Sequence, residues 1–397
     1  MNLLTIAVIL SILLAFVFTF LNGMNDAANS ISTIIATKVM TPMQAILWAS
    51  FWEFTAFIII RLVFNQQFAV GNTMANFADQ NVIDPYLILS ALVGAAIWVA
   101  ICTKSGMPIS TSHALIGGII GAAWFVNGGS VLHMKPIIIT LAFIVLSPLI
   151  GLFLGFFLEC LFLRVFKNTP RKRVDKIFKV LQHFSTAAFC IGHGSNDAPK
   201  TMGIIAVLMA SVFTTQGVTP AMKEFISNFY DSSQAFHIPD ILAVVCYIIM
   251  SLGILIGGKN VIKTMGGGLA KITPIRGFSA EFAGATTLIA TSFMGIPVST
   301  THTITGGVIG VGLTDGVKSV KWVTARRIVL SWILTIPVPL VIAGVLNLLF
   351  HLLPIESNES QQFLPVFRPK GDQILPALPE AGRIHRESRQ ATAADAH

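Results

Sequence analysis

Pro108-Ile-Ser-Thr-Ser-His113-Ala-Leu-Ile-Gly-Gly-Ile-Ile-Gly121 returns 189 residues later as Pro297-Val-Ser-Thr-Thr-His302-Thr-Ile-Thr-Gly-Gly-Val-Ile-Gly310, with eight of fourteen positions identical. Each copy sets a proline and a run of hydroxyls immediately before a Gly-rich apolar helix. Proline suits the first helical turn, where no N–H is needed. The end that follows carries free backbone N–H groups and a partial positive charge, which makes it an anion site. Ser110, Thr111 and Ser112, with Ser299, Thr300 and Thr301, add hydroxyl donors. Two such ends facing each other could hold a tetrahedral oxyanion without an arginine, whereas ordinary helix capping is the plainer use of one copy. The duplication points to a repeat transporter.

The rest of the chain supplies the setting. Of 397 residues, 54% are apolar and 11% charged, where a soluble domain carries about 25% charged residues. Apolar runs begin near residues 3, 43, 84, 136, 180, 239, 277 and 323, and most reach the ~20 residues that cross a bilayer. The first run has no basic start and no small-residue cleavage site, so it reads as a span rather than a signal peptide. A net charge of +8 gives no case for nucleic acid. Arg164, Lys167, Arg171, Lys172, Arg173, Lys176 and Lys179 cluster in one stretch, which reads as a positive-inside loop that could also touch anionic membrane lipids.

The expected fold is all-α: a polytopic membrane protein of two inverted-topology repeats, with broken helices and short segments (106–128 and 295–314) that are candidates for re-entrance. The first repeat spans 1–163, a basic cytoplasmic linker 164–179, the second repeat 180–354, and a Pro-rich flexible tail 355–397. The tail's charge nearly balances, with five Lys/Arg and six Asp/Glu. Cys102, Cys160, Cys190 and Cys246 lie scattered in apolar segments and read as buried packing residues. Gly117, Gly121, Gly306 and Gly310 are spaced for close helix contact. Such faces allow a homodimer without fixing one.

A second duplicated motif is Asn22-Gly-Met-Asn25-Asp26-Ala-Ala-Asn29-Ser30-Ile-Ser32-Thr33, answered by Gly192-His-Gly-Ser-Asn196-Asp197-Ala-Pro-Lys200-Thr201-Met-Gly203. A carboxylate inside a span costs ~3 kcal/mol on insertion scales. Asp26, Asn29, Ser30, Thr33 and Thr37 form one polar stripe at helical spacing, and Asp197, Lys200 and Thr201 form another. The flanking glycines permit an unwound turn. Carboxylate, amide and carbonyl oxygens together suit a hard cation such as Na⁺ at Asn25, Asp26, Asn196 and Asp197; helix–helix glue is the alternative for Asn29 or Thr33. Glu53 and Glu281 lie in apolar runs without being repeat partners. Each is a cation-pathway or proton group, or half of an ion pair. His113 and His302 are further coupling candidates, or structural hydrogen-bonders. Lys104 and Lys200 sit close to the motifs and could attract an anion, neutralise an aspartate or reach the surface. There is no Walker A loop, no His-Glu-x-x-His and no Gly-x-Ser-x-Gly, so neither ATP drive nor these hydrolase chemistries are expected.

On these residues the chain resembles the inorganic phosphate transporter (PiT) family over about residues 3–350. The family's Gly-x-Asn-Asp motif is matched by Gly23 to Asp26 and by Gly194 to Asp197, and its Pro-x-Ser-Thr-Thr/Ser-His segment appears in each half. The stretch 192–203 is similar to the bacterial branch. The resemblance implies a non-enzymatic symporter that brings inorganic phosphate with a cation across a bacterial plasma membrane. It implies that the Ser/Thr triplets contact phosphate, and that the Asn-Asp motifs serve cation and substrate. Glu53 and Glu281 look like glutamates used in transport. Two places depart from the pattern. Pro199 replaces a usual Gln, and Met24-Asn25 replaces the Phe-His of some proton-coupled members, which leans toward Na⁺ over H⁺. Sulfate, metal–phosphate complexes and a passive anion channel are the competing readings, with an intramembrane enzyme using Asp26 and Asp197 the most distant.

Overall fold

In hydrocarbon every backbone N–H and C=O must be satisfied within its own segment, so apolar runs become helices. The computed structural model describes residues 2–63, 68–233, 236–257, 261–262, 264 and 269–352. Among these, all extended elements are helical, with one isolated bridge between Ala78 and Leu132. The helices are α1 (Leu3–Ala36), α2 (Pro42–Ile58, continued as a π-helix over Ile59–Val63), α3 (Ala69–Ala75), α4 (Pro85–Ser105), α5 (Thr111–Asn127) and α6 (Met134–Val165). There follow α7 (Arg171–Thr214), α8 (Pro220–Ser227), α9 (Asp240–Ile256), α10 (Pro274–Phe293), α11 (Thr300–Leu313), α12 (Trp322–Leu334) and α13 (Pro337–Leu352). Six described segments are long and apolar enough to cross a membrane: Leu3–Ala36, Pro42–Arg61, Pro85–Ser105, Met134–Val165, Arg171–Thr214 and Trp322–Leu352.

Local chemistry sets the helix starts. Asp84 accepts the Leu87 N–H at 2.8 Å with Pro85 at the first helical position, and Thr41 and Gln44 form a capping box ahead of α2. The two short repeat helices start identically. Ser110 Oγ accepts the His113 N–H and Ser299 Oγ the His302 N–H, both at 3.2 Å.

Three expectations are corrected. First, the basic stretch is not a loop: α6 ends at Val165 and α7 begins at Arg171, so Arg171 to Lys179 form the first turns of a 44-residue helix. Lys and Arg are good helix formers, and Pro170 stands at the cap. Second, α1 and α7 run unbroken through both Asn-Asp motifs. The motif glycines serve close approach instead of unwinding. A Cβ on Gly23 would stand 2.2 Å from the Met250 carbonyl oxygen of α9, and one on Gly194 3.0 Å from the Glu53 carbonyl oxygen of α2. The breaks fall before the short helices, at Gly106–Ser110 and Gly295–Ser299, where Gly106 and Gly295 both take φ of +69°. Cys160 is also exposed on the outer face of α6, while the other three cysteines are buried. The tail from residue 355 lies outside the described residues.

The short helices are held by matching contacts. A Cβ on Gly118 (α5) would meet the Ala91 carbonyl oxygen of α4 at 2.4 Å, and one on Gly307 (α11) the Ala280 carbonyl oxygen of α10 at 3.1 Å. Their outer faces are covered by helices from the opposite half. Gly117 and Gly121 lie against the Ile336 and Leu340 backbone at the start of α13, while Gly306 and Gly310 lie against Pro148 and Leu152 of α6. Each half thus lends its last helix to the other half's short helix. The motifs of α1 and α7 and the starts of α5 and α11 meet in the interior this creates.

Candidate ion and substrate site

The starts of α5 and α11 meet across Asp26. Thr111 Oγ1 donates to Asn22 Oδ1 at 2.6 Å and to Asp26 Oδ2 at 3.2 Å. From the other side, Thr300 Oγ1 approaches Asp26 Oδ2 at 3.5 Å and Thr301 Oγ1 approaches Asp26 Oδ1 at 3.4 Å. Asn29 Nδ2 donates to Asp26 Oδ1 at 3.0 Å and to Thr301 Oγ1 at 2.8 Å. All these side chains are buried. The Oδ1 atoms of Asn25 and Asn29 accept no hydrogen bond among the described residues, and that of Asn29 belongs to an amide bonded to the Asp26 carboxylate. Oxygen donors of this kind suit a hard monovalent or divalent cation.

The second motif has the same backbone placement and different chemistry. Lys200 Nζ donates to Asp197 Oδ1 at 2.7 Å, to the Val298 carbonyl at 2.7 Å and to Ser112 Oγ at 2.5 Å. Asn196 Oδ1 accepts the Val298 N–H at 3.2 Å, and its Nδ2 donates to Ser292 Oγ and to the Ile296 carbonyl. Asn25 Nδ2 makes the matching contact in the first half, to Thr103 Oγ1 at 2.7 Å. The sequence places a cation at both motifs alike; in the structure Asn196 Oδ1 and Asp197 Oδ1 already accept hydrogen bonds, and Asp197 Oδ2 accepts none among the described residues and lies 3.3 Å from His193 Nε2.

His193 joins the two motifs. Its Nε2 lies 3.3 Å from Asp197 Oδ2 and 3.7 Å from Asp26 Oδ2, and its Nδ1 lies 2.7 Å from Glu53 Oε1. Asp26, His193 and Asp197 could between them ligate one ion. The sequence alone assigns His193 no role within its motif. The available signal was its position, since it falls where the first motif has Asn22.

The other candidates stand apart. Glu281 is enclosed by donors: Thr33 Oγ1 at 2.5 Å, Gln182 Nε2 at 2.9 Å, Ser185 Oγ at 2.5 Å and Thr186 Oγ1 at 2.8 Å. His113 and His302 meet each other, with ring centroids 4.8 Å apart, and His302 stacks on Trp332. Among the described residues no carboxylate oxygen lies within 4.0 Å of either ring's nitrogens. Ser110 and Ser299 are the helix caps described above. Lys104 is exposed. A buried carboxylate that sequence reading missed, Glu159 of α6, pairs with Arg276 of α10 at 3.5 Å, and Arg276 reaches Asp315 at 2.5 Å. The guanidinium holds the exposed Asp315 carboxyl below the usual carboxylate range.

Residues 22–343, from the first Asn-Asp motif to α13, match the Phosphate transporter family. The chain belongs to that family. Among its relatives is a "probable low-affinity inorganic phosphate transporter" of Rhizobium meliloti, 40% identical over 300 residues, 76% of this chain and 83% of the relative. A protein of Bacillus subtilis with the same description is 34% identical over 307 residues, 74% of this chain and 86% of the relative. One solved structure, described as "The sodium-dependent phosphate transporter", shares the fold with a TM-score of 0.72 at 24% identity, covering 87% of this chain and 99% of its own. The protein is therefore a multi-pass membrane transporter of the phosphate transporter family and not an enzyme.

Proposed function

We propose that this phosphate transporter is a symporter that imports inorganic phosphate across the bacterial plasma membrane together with Na⁺, within two inverted-topology repeats. One observation carries the reading. Two capped helix N-termini, α5 and α11, bring Thr111, Thr300 and Thr301 onto buried Asp26, and Ser112 onto Lys200, which holds Asp197. Phosphate binds between those ends, held by their first-turn N–H groups and by hydroxyls that turn from the carboxylates to the anion. The cation lies at Asp26 with the Asn25 and Asn29 oxygens and offsets the anion's charge, so neither is stable in the interior alone. Binding of both biases the exchange between outward- and inward-open states, which is how one gradient drives the other. The sodium-dependent transporter of like fold supports Na⁺.

Proton coupling is the second reading, favoured by His193 standing among Glu53, Asp26 and Asp197. Reconstituted protein under an imposed Na⁺ gradient at constant pH, or under a pH gradient without Na⁺, separates the two. Concentrative uptake of labelled phosphate with the Na⁺ gradient alone is the expected result. Uptake that only the pH gradient drives would overturn the Na⁺ reading, and flux that no cation gradient concentrates would make the protein a channel. Competition by sulfate stronger than by phosphate would change the assigned cargo.

A further inference from the structure

The two motifs are the same length and lie on corresponding helices, so their residues can be compared pair by pair. Asn29 and Lys200 stand three residues after Asp26 and Asp197 respectively. Each reaches back to its own aspartate and across to a hydroxyl at the start of the other half's short helix. Asn29 Nδ2 bridges Asp26 to Thr301, and Lys200 Nζ bridges Asp197 to Ser112. Thr301 and Ser112 are themselves equivalent, each the fourth residue after the repeated proline. The neighbouring backbone repeats as well: Thr301 Oγ1 donates to the Ile109 carbonyl at 2.8 Å, and Lys200 Nζ to the Val298 carbonyl at 2.7 Å. One geometry is thus filled once by a neutral amide and once by a full positive charge.

The oxygens around the two positions differ in the complementary sense. In the first motif the Asn25 and Asn29 oxygens accept nothing among the described residues. In the second motif the Asn196 oxygen accepts the Val298 N–H, and the residue equivalent to Asn29 offers no oxygen at all. A buried carboxylate needs a counter-charge. Asp197 has one covalently attached to the chain. Asp26 has amide and hydroxyl dipoles, lies 3.7 Å from the His193 ring that stands closer to Asp197, and has beside it the unpartnered Asn29 oxygen, a donor for a cation that arrives from solution.

We propose that Lys200 is a tethered cation. Its ammonium supplies to Asp197 the positive charge that a dissociable Na⁺ supplies to Asp26, where the equivalent side chain is the neutral Asn29, so these two motifs together carry one coupling ion instead of two. The inference deepens the Na⁺ reading above and rests on it for the identity of the ion. It assigns to Lys200 neither phosphate contact nor a structural role alone, but the setting of the ion count. The same ammonium travels through every transport cycle without being released, so the gradient does less work per phosphate than a two-ion design would supply.

The test counts radioactive Na⁺ bound per protomer to the purified full-length protein, and the Na⁺-to-phosphate flux ratio in proteoliposomes. Wild type, Lys200→Asn, Lys200→Asn with Asp197→Asn, and the single variants Asp26→Asn and Asp197→Asn are compared. Lys200→Asn is expected to bind one more Na⁺ per protomer than wild type and to raise the flux ratio by one. Adding Asp197→Asn should remove that extra ion. In the Lys200 background, Asp26→Asn should lose one ion and Asp197→Asn none. A folded Lys200→Asn that gains no ion would overturn the proposal. So would an ion lost from the wild type on Asp197→Asn, an arm that does not depend on the lysine variant folding. A wild type that binds no Na⁺ would sink the Na⁺ reading separately, and a gain of one ion in Lys200→Asn would then still support the tethered charge.

Discussion

His193 Nδ1 lies 2.7 Å from Glu53 Oε1, and the same ring turns its other nitrogen to Asp26 and Asp197. A neutral imidazole donates from only one nitrogen, so the ring serves either Glu53 or the aspartates unless it is protonated. His193→Asn, which installs the residue type found at the first motif's equivalent position, removes this link. Radiolabelled phosphate uptake measured over a pH series should fall at least about tenfold, as expected for loss of a charge-assisted contact. Its pH profile should flatten if the ring carries the coupling proton, and keep its shape if Na⁺ does.

Thr300 and Thr301 reach Asp26 from the start of α11. Replacing both with alanine deletes two hydroxyl donors from the proposed anion site and leaves the helix cap at Ser299. The KM for phosphate should rise by about tenfold or more, since a hydrogen bond to a charged group contributes roughly 1.5–3 kcal/mol. Steady-state uptake against phosphate concentration checks this, and an unchanged KM would remove these hydroxyls from the anion site.

Glu281 and Glu53 should respond differently to the same change. Glu281 accepts from four side chains, so Glu281→Ala strands four buried donors, each costing about 1–3 kcal/mol. That variant should lose thermal stability in detergent by several degrees, with Glu281→Gln less affected. Glu53 faces His193 and no other side-chain donor among the described residues. Glu53→Gln should leave the melting temperature close to wild type and reduce uptake.

Arg276 binds the buried Glu159 and the exposed Asp315. Arg276→Gln leaves Glu159 uncompensated, and removing one partner of a buried pair costs about 3–5 kcal/mol. Asp315→Asn, at the exposed end, should cost far less, and the gap between the two melting temperatures measures the buried half.

Much of this was legible in the sequence because it is written twice. The hydroxyl-bearing helix starts, the Asn-Asp motifs and the apolar spans all follow from composition and repetition, and the structure brings the motifs together. Three features were not legible. The glycines beside the motifs read as flexibility, yet Gly23 and Gly194 are used for close approach, a choice that depends on what packs opposite. Glu159 is a single charge in a long apolar run, and its partner Arg276 lies more than a hundred residues away in sequence. His193 was masked by the Asn-Asp pair beside it; its three carboxylates come from α1, α2 and its own helix, a convergence that no local spacing reveals.

The glycine contacts between α5 and α13, and between α11 and α6, have a consequence for how such a protein is made. The first half leaves the ribosome with Gly117 and Gly121 facing nothing of their own, because the backbone they press against, at Ile336 and Leu340, belongs to the other half and is synthesised later. Neither half can complete its interior alone. A gene encoding a single half would have needed two copies of its product clasped together, each supplying the other's missing helix. Joining the two in one polypeptide turns that mutual clasp into an obligatory closing step. Cut between α6 and α7, the protein should transport only where both fragments are expressed in the same membrane.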